Sequence, residues 1–161
     1  MLPTGTDIIR AQDNRVPEPT AADFVVMTPI RRERLSTNID TFVGPTAPAP
    51  AQGVAQVMQP TLLDVQLDVH GPNSADNTQI IAALWRDYYA TEILDSGPYY
   101  VQALYASEAR QIPFVNAEQQ WENRWVLELY MQVNPVVTAP QDFADDVTVT
   151  TINVTRTYPI S

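Results

Sequence analysis

The clearest pattern of apolar and polar positions along the chain is an alternation over residues 62–70. The apolar side chains fall on one face of an extended backbone: Leu63, Val65, Leu67 and Val69. The polar side chains fall on the other face: Asp64, Gln66, Asp68 and His70. A half-buried antiparallel sheet requires this alternation, so we predict a strand with an apolar core face and a solvated polar face.

Other apolar and β-branched runs predict further strands over residues 6–10, 24–28, 99–105, 120–133 and 147–158. Between the first two runs, residues 10–19 are rich in turn residues and predict a turn followed by an extended loop. Pro29 follows the second run and indicates a sheet edge or a bulge, because proline has no amide hydrogen for a ladder bond. In the last run the alternation slips near Thr150, which indicates a bulge.

One principal helix is predicted from a cap at Asn73, Ser74 or Asp76 to about Leu94. A stripe at helical spacing supports it: Ile81, Leu84, Trp85, Tyr88 and Thr91. Residues 44–60 contain four prolines and many alanines, which predicts a long exposed loop or arm between two strands. The order of elements predicts a single α+β domain over residues 1–161, with a mainly antiparallel sheet and the helix packed on one face.

The charge of the chain excludes several kinds of partner. The net charge is −10, and all nine basic residues are arginines. Residues 1–60 carry five Arg and six Asp or Glu, whereas residues 61–161 carry four Arg and thirteen Asp or Glu. Such a chain does not bind nucleic-acid phosphates or anionic membranes through clustered cations, although it would let DNA pass by like-charge repulsion. No apolar run is long enough to span a membrane.

Few residues could carry catalysis or hold a metal or cofactor. The chain has no cysteine, which excludes disulfides, thiolate zinc sites and thiol nucleophiles. Asp68 and His70 could form a metal or acid–base pair, but we interpret them as part of a solvated strand face. Asp142, Asp145 and Asp146 do not have the spacing of a calcium loop and predict a solvated acidic loop. Because motifs for phosphate binding or nucleophilic catalysis are absent, we predict no catalytic, cofactor or metal site and no enzymatic activity.

Arg31, Arg32 and Arg34 form the only basic cluster of the sequence. In so acidic a chain, the cluster is a candidate subunit interface that would contact acidic surface on a second copy. The alternative is an exposed strand end whose charges keep a sheet edge soluble. A second candidate interface is the aromatic-rich middle of the chain, whose alternative role is an ordinary core. Its members are Trp85, Tyr88, Tyr89, Tyr99, Tyr100, Tyr105, Trp121 and Trp125.

Four stretches of the sequence together resemble a known family. They are IRAQDNRVPEP (Ile9–Pro19), FVVMTPIRRERL (Phe24–Leu35), LLDVQLDVHGPNSADN (Leu62–Asn77) and VLELYMQVNP (Val126–Pro135). In these stretches the chain is similar to the phage neck terminator, or tail-terminator-like, proteins of contractile-tailed phages and prophages. The resemblance covers nearly the whole chain. Such proteins often have a helical segment before the first strand, which we expect to be absent here.

The resemblance implies an α+β structural subunit that assembles in the host cytoplasm into a six-membered ring of the virion. The ring would cap the finished tail tube, stop its growth and join it to the head. The implied partners are further copies of the chain, tail tube and sheath proteins, and head connector or adaptor proteins. Genomic DNA would pass through the lumen without sequence-specific binding, and no membrane would be contacted.

Two other functions stay open on the residues alone. One is a different phage structural protein of the neck, head-completion, tail-tube or baseplate type, because these share small subunits with strands and long loops. The other is a small phage-encoded enzyme, for instance a carboxylate-dependent hydrolase. A discrete closed oligomer favours the terminator, whereas stabilisation by a divalent metal that depends on Asp68 and His70 favours the enzyme.

Overall fold

A computed structural model of the chain describes residues 2, 4–11, 19–46, 52–97, 100–115, 119–143 and 148–151. The chain divides into two compact units. The first unit comprises Met1–Ile39 and Met58–Val136, and the second unit comprises Asp40–Val57 and Val137–Ser161. Neither helix of the described residues has the length and apolarity that crossing a membrane requires.

The described residues form eleven strands and two helices. The strands are β1 Asp7–Arg10, β2 Phe24–Arg34, β3 Ile39–Val43, β4 Gly53–Met58, β5 Thr61–His70, β6 Val101–Ala106, β7 Arg110–Gln111, β8 Phe114–Val115, β9 Trp121–Glu122, β10 Arg124–Val133 and β11 Val136–Gln141. The helices are α1 Ser74–Arg86 and α2 Tyr88–Asp95. Strands β11, β4 and β3, in this order, form the sheet of the second unit, and β8 pairs with β9 in the first unit.

The main sheet of the first unit has six strands and is centred on β5. Its order is β1-β2-β5-β10-β6, and the short β7 also pairs with β10. Only β1 and β2 run parallel, and the other pairings are antiparallel. Strand β5 is paired along its whole length on both sides, with β2 and with β10. The alternation read from the sequence therefore belongs to a central strand, whose two faces both have to be covered.

The apolar face of the main sheet and the helix α1 form the core. One helical residue, Ala82, packs in a buried cluster with sheet side chains from four strands: Val25, Leu67, Val69, Ala106, Leu127 and Leu129. Trp85 packs against the same cluster, and its indole Nε1 donates to the carbonyl oxygen of Tyr105 at 3.1 Å. This bond satisfies the one polar group of a large half-buried side chain and holds α1 against the sheet.

The predicted single helix is interrupted at Asp87. This residue has an extended backbone (φ −93°, ψ 161°), and its carboxylate accepts a hydrogen bond from the amide of Tyr89 at 3.0 Å. An aspartate in this position caps a new helix and does not continue the previous one, because its oxygen satisfies an amide that has no helical partner. The residues of the apolar stripe thus lie in both α1 and α2, but the helical conformation of the backbone is interrupted between them.

The predicted α+β class with one principal helix is wrong. Strands take up 50% of the described residues, which form several sheets and only two short helices, so the fold is mostly β. The error has two physical causes: the cap at Asp87, and a strand within residues 44–60, which the proline content had assigned to an exposed loop. Residues 53–58 of that stretch contain no proline and form β4.

Gly53, the first residue of β4, shows how closely the second unit is packed there. A side-chain β-carbon at this position would lie 2.3 Å from Cε2 of Phe143 and 2.4 Å from the carbonyl oxygen of Val43. Only glycine lets these groups approach so closely. The beginning of β4 is therefore buried, unlike the exposed arm that the sequence predicted.

Several predicted segments lie partly or wholly outside the described residues. They include the loop before β2 (residues 12–18), the middle of the proline-rich stretch (47–51) and most of the last predicted strand, of which residues 148–151 are described and form no strand. Tyr99, Asp145 and Asp146 are also outside. A single domain over residues 1–161 stays a prediction.

We expect Leu127→Ala to lower the free energy of unfolding by about 2–5 kcal/mol, because it opens a cavity among closely packed side chains. Leu127 is 0% exposed at the centre of the core, whereas Leu104 on β6 is 41% exposed. The matched control Leu104→Ala should change stability by less than about 0.5 kcal/mol. Urea unfolding followed by tryptophan fluorescence measures both, and equal losses would contradict this position of the core.

Candidate subunit interface

The three arginines of the basic cluster lie on the last four residues of β2. A register shift between Pro29 and Arg31 places Arg31 opposite Asp64 and Arg32 opposite Leu63 of β5. Of the sheet edge and the bulge that Pro29 indicated, this irregularity in the pairing agrees with the bulge. Because side chains alternate along a strand, Arg31 lies on the polar face of the sheet, and Arg32 and Arg34 lie on the apolar face.

Arg31 is held within its own subunit. Its Nε donates to Oδ2 of Asp64 at 2.9 Å, and its Nη1 lies 3.1 Å from Oε2 of Glu33. The Asp64 carboxylate is buried, and these two acids, Asp64 first, raise the pKa of Arg31 above its usual value. The other carboxylate oxygen of Asp64 has no hydrogen-bond partner within the described part of the chain. Arg31 is thus the main neutralising group of a buried charge.

Arg32 and Arg34 line a groove at one end of the main sheet, which we call the arginine groove. Within the described residues, neither arginine pairs with an acid. The groove has a volume of about 650 Å³, and besides the two arginines its lining includes Leu63, Val101, Val133 and Tyr100. Apart from Tyr100, which directly precedes β6, these residues come from β2, β5, β10 and β6, so the groove crosses the sheet beyond the core cluster under α1. Two cations beside an apolar floor can bind an acidic segment that also carries apolar side chains.

The polar face of β5 is buried, so the prediction of a solvated face is wrong. Asp64 and Asp68 are each 6% exposed, and His70 is 7% exposed. Aromatic side chains cover the end of this face: the His70 ring stacks on Phe24 at 4.6 Å and meets the edge of Phe114 at 5.6 Å. Charged groups buried in this way need partners, because desolvation of an unpaired charge is costly.

Each buried group on the polar face has a separate partner. Nε of Arg124 donates to Oδ1 of Asp68 at 2.9 Å, and Nδ1 of His70 lies 2.8 Å from Oε1 of Glu122. Asp68 and His70 therefore do not form the pair considered from their spacing. Among the described residues, no group of three or more acidic or histidine side chains could hold a metal ion.

Arg124 and Glu122 are the important residues that the sequence reasoning missed. Arg124 lies opposite His70 in the ladder, two residues along β5 from Asp68, and its guanidinium is 5.8 Å from the centre of the Phe114 ring. The sequence pattern did indicate the face on which Arg124 lies. It is four residues before Glu128 on an alternating strand, so both side chains fall on the polar face. That Arg124 pairs with Asp68 could be identified only from the register between β10 and β5.

The aromatic-rich middle divides between core and surface. Trp85 packs against the core, whereas Tyr105 is 51% exposed and stacks on Tyr130 with ring centres 4.3 Å apart. Tyr88, Tyr100 and Trp121 are exposed. Different members of the set therefore lie in the core and on the surface, and an interface role for the exposed ones stays a prediction.

The predicted acidic loop is described only at Asp142, in the second unit. This residue is exposed, and its Oδ1 accepts a hydrogen bond from Nε2 of Gln52 at 2.9 Å. The contact joins the segment after β11 to the segment before β4, so it has a structural role within the second unit.

We expect Arg124→Met to lower the free energy of unfolding by about 1–3 kcal/mol, because the buried Asp68 carboxylate loses its cation. A second substitution, Asp68→Leu, removes the unpaired charge and should recover part of the loss. Arg110→Met is the control: Arg110 forms an exposed ion pair with Glu128 at 3.2 Å, whose removal should cost less than about 1 kcal/mol. Chemical denaturation measures all three variants, and no recovery in the double variant would contradict this pairing.

A second prediction concerns the titration of Tyr130. Its hydroxyl donates to Oε2 of Glu128 at 2.7 Å, and this bond, followed by desolvation, raises the pKa of Tyr130 to about 12. Because an unfolded tyrosine has a pKa of about 10, the stabilising effect is complete below pH of about 10 and is lost as the pH rises through about 12. In an ultraviolet titration of tyrosine ionisation, the step that belongs to Tyr130 is the one that Tyr130→Phe removes. This step should occur at the highest pH, and Glu128→Gln should move it towards lower pH. A step near pH 10 that Glu128→Gln leaves unchanged would refute this.

Comparison with known proteins adds one finding. A family model described as phage neck terminator protein matches residues 1–155. It is the family that the four stretches of the sequence resemble, and the match covers nearly the whole chain. No curated protein matches the chain.

Proposed function

Because this chain belongs to the phage neck terminator family, we propose that it forms a closed ring, of six copies, that caps the tail tube and joins it to the head connector. Family membership itself makes the chain a structural protein of the phage neck, which lies in the virion and contacts other head and tail proteins. The ring, its assembly in the host cytoplasm, its contacts with tube and sheath proteins and the passage of DNA through its lumen are parts of the proposal.

The observation that supports the proposed ring is the position of Arg32 and Arg34 at the arginine groove. In a chain of net charge −10, Arg32 and Arg34 have a large choice of acids, yet neither pairs with an acid among the described residues. Cations left free beside an apolar floor favour an acidic partner surface. A contact between this surface and a different surface of the next copy is heterologous, and such contacts close into rings when the rotation between copies allows it.

The three arginines have different roles in this proposal. Arg32 and Arg34 make the contact between subunits. Arg31 supports them from the opposite face, because its bond to Asp64 keeps the strand end in register. The interface therefore depends on Arg31 through the fold and on the other two directly.

The acidity of the chain also supports a passage for DNA. Acidic residues that line a channel repel phosphates, so the polymer can move through without adhering. A structural ring needs no catalytic or cofactor site, and we propose none. The contacts that the ring makes with tube, sheath and connector would then depend on protein surfaces alone.

We expect native mass spectrometry of the purified chain to find a discrete closed oligomer, with six copies as the expected number. Arg32→Glu/Arg34→Glu should shift it to monomers by placing acids against an acidic surface, while the exposed control Arg10→Glu on β1 should leave it intact. Arg31→Glu should instead lower thermal stability. An oligomer unaffected by the double variant would remove the arginines from the interface. A chain that stays monomeric at high concentration and on isolated tail tubes would contradict the ring, and would favour another neck, head-completion, tail-tube or baseplate role.

A further inference from the structure

Helix α2 carries an exposed face that the fold of the subunit does not use. Tyr88 is 73% exposed and Ile93 is 50% exposed, although both are large apolar-bodied side chains. Tyr89 is also exposed, as are the two acids of the helix, Glu92 and Asp95. Ala90 is the only buried residue of α2. A cluster of exposed aromatic and aliphatic groups on one short helix is typical of an interaction surface.

The charge of this face is opposite to that of the arginine groove. Residues 88–106 contain two acids and no arginine or lysine. Helical spacing places Tyr88 next to Glu92 and Tyr89 next to Ile93, so that carboxylates and apolar groups share one surface. We call this surface, Tyr88, Tyr89, Glu92, Ile93 and Asp95, the α2 face.

We propose that the α2 face of one copy of this chain docks into the arginine groove of the next copy. The inference rests on the proposed ring and names the two surfaces that build it. Glu92 and Asp95 would face Arg32 and Arg34, while the tyrosine and isoleucine side chains would cover the floor that Leu63, Val101 and Val133 provide. The mode is that of an amphipathic helix laid into a groove.

The size of the groove and the stiffness of the helix both suit this contact. A volume of about 650 Å³ is within the range of about 300–1,000 Å³ in which pockets enclose bulky groups. Tyrosine and arginine are common anchors at the centres of interfaces. The cap at Asp87 fixes the start of α2, so the helix is ordered before it binds and less conformational entropy is lost.

A second copy is the partner that the charges favour. One chain carries both complementary surfaces, and they are different surfaces of the first unit. Each copy would therefore use its groove towards one neighbour and its α2 face towards the other, which is the head-to-tail contact that a ring needs.

Reciprocal charge reversal tests the contact. In one variant, Arg32→Glu/Arg34→Glu, the groove is acidic; in the other, Glu92→Arg/Asp95→Arg, the helix is basic. Cations suit the carboxyl end of a helix, so the second variant should fold normally. Each variant alone should lose the oligomer, with the assembly midpoint raised on the order of ten-fold or more, because every contact joins like charges.

A one-to-one mixture of the two variants should restore assembly. In an alternating ring, every acidic groove would meet a basic helix and every native groove a native helix. Native mass spectrometry distinguishes this mixed oligomer, because the two variants differ in mass. The control Arg10→Glu/Asp40→Arg changes exposed charges of the same kind on β1 and β3 and should assemble as the native chain does.

The outcomes separate this inference from the ring itself. The docking is wrong and the ring stands if the native chain assembles and either charge-reversed variant also assembles by itself. The same conclusion follows if the mixture stays dissociated while both variants are folded. If the native chain is monomeric at every concentration and on tail tubes, the ring and the docking both fall. The chain has no cysteine, so Arg34→Cys and Glu92→Cys in separate copies supply a second readout. A disulfide that forms only in their mixture supports the contact, and a mixture without it contradicts the contact.

Discussion

The burial of two carboxylates in the middle of the main sheet is the constraint on which the first unit depends. Asp64 and Asp68 lie on a strand that is paired on both sides, and each is only 6% exposed. Each needs a cation brought by a neighbouring strand, and Arg31 and Arg124 are those cations. The pairs contribute to the choice of register, because a slip of one residue would exchange the faces and leave the charges unpaired.

This constraint also explains the candidate interface. Since Arg31 is directed to the polar face by its bond to Asp64, the alternation of β2 sends Arg32 and Arg34 to the opposite face. The core cluster under α1 does not include the residues at that end of the sheet, and the two arginines line a groove there together with Leu63, Val101 and Val133. One ion pair inside the subunit thus places on the other face two arginines that pair with no acid among the described residues.

The helices show the same connection between local chemistry and surface. The side chain of Asp87 ends one helix and caps the next, which turns a single predicted helix into two short ones. Part of the stripe read from the sequence packs against the core with Trp85 in α1, while Tyr88 in α2 is exposed. The helix break at Asp87 therefore separates a stripe position that contacts the core, Trp85, from one that lies on the surface, Tyr88. Together with the strand in residues 53–58, it makes the fold mostly β.

The sequence by itself determined the strand over residues 62–70, the basic cluster and the family, because each depends on neighbouring residues or on a local pattern. It did not determine which polar side chains are buried, since alternation defines a face and not what covers it. Only the tertiary structure decided that Asp68 pairs with Arg124 and that Arg31 differs in role from Arg32. Those outcomes depend on register between strands that are distant in the chain, and no short-range pattern specifies a register.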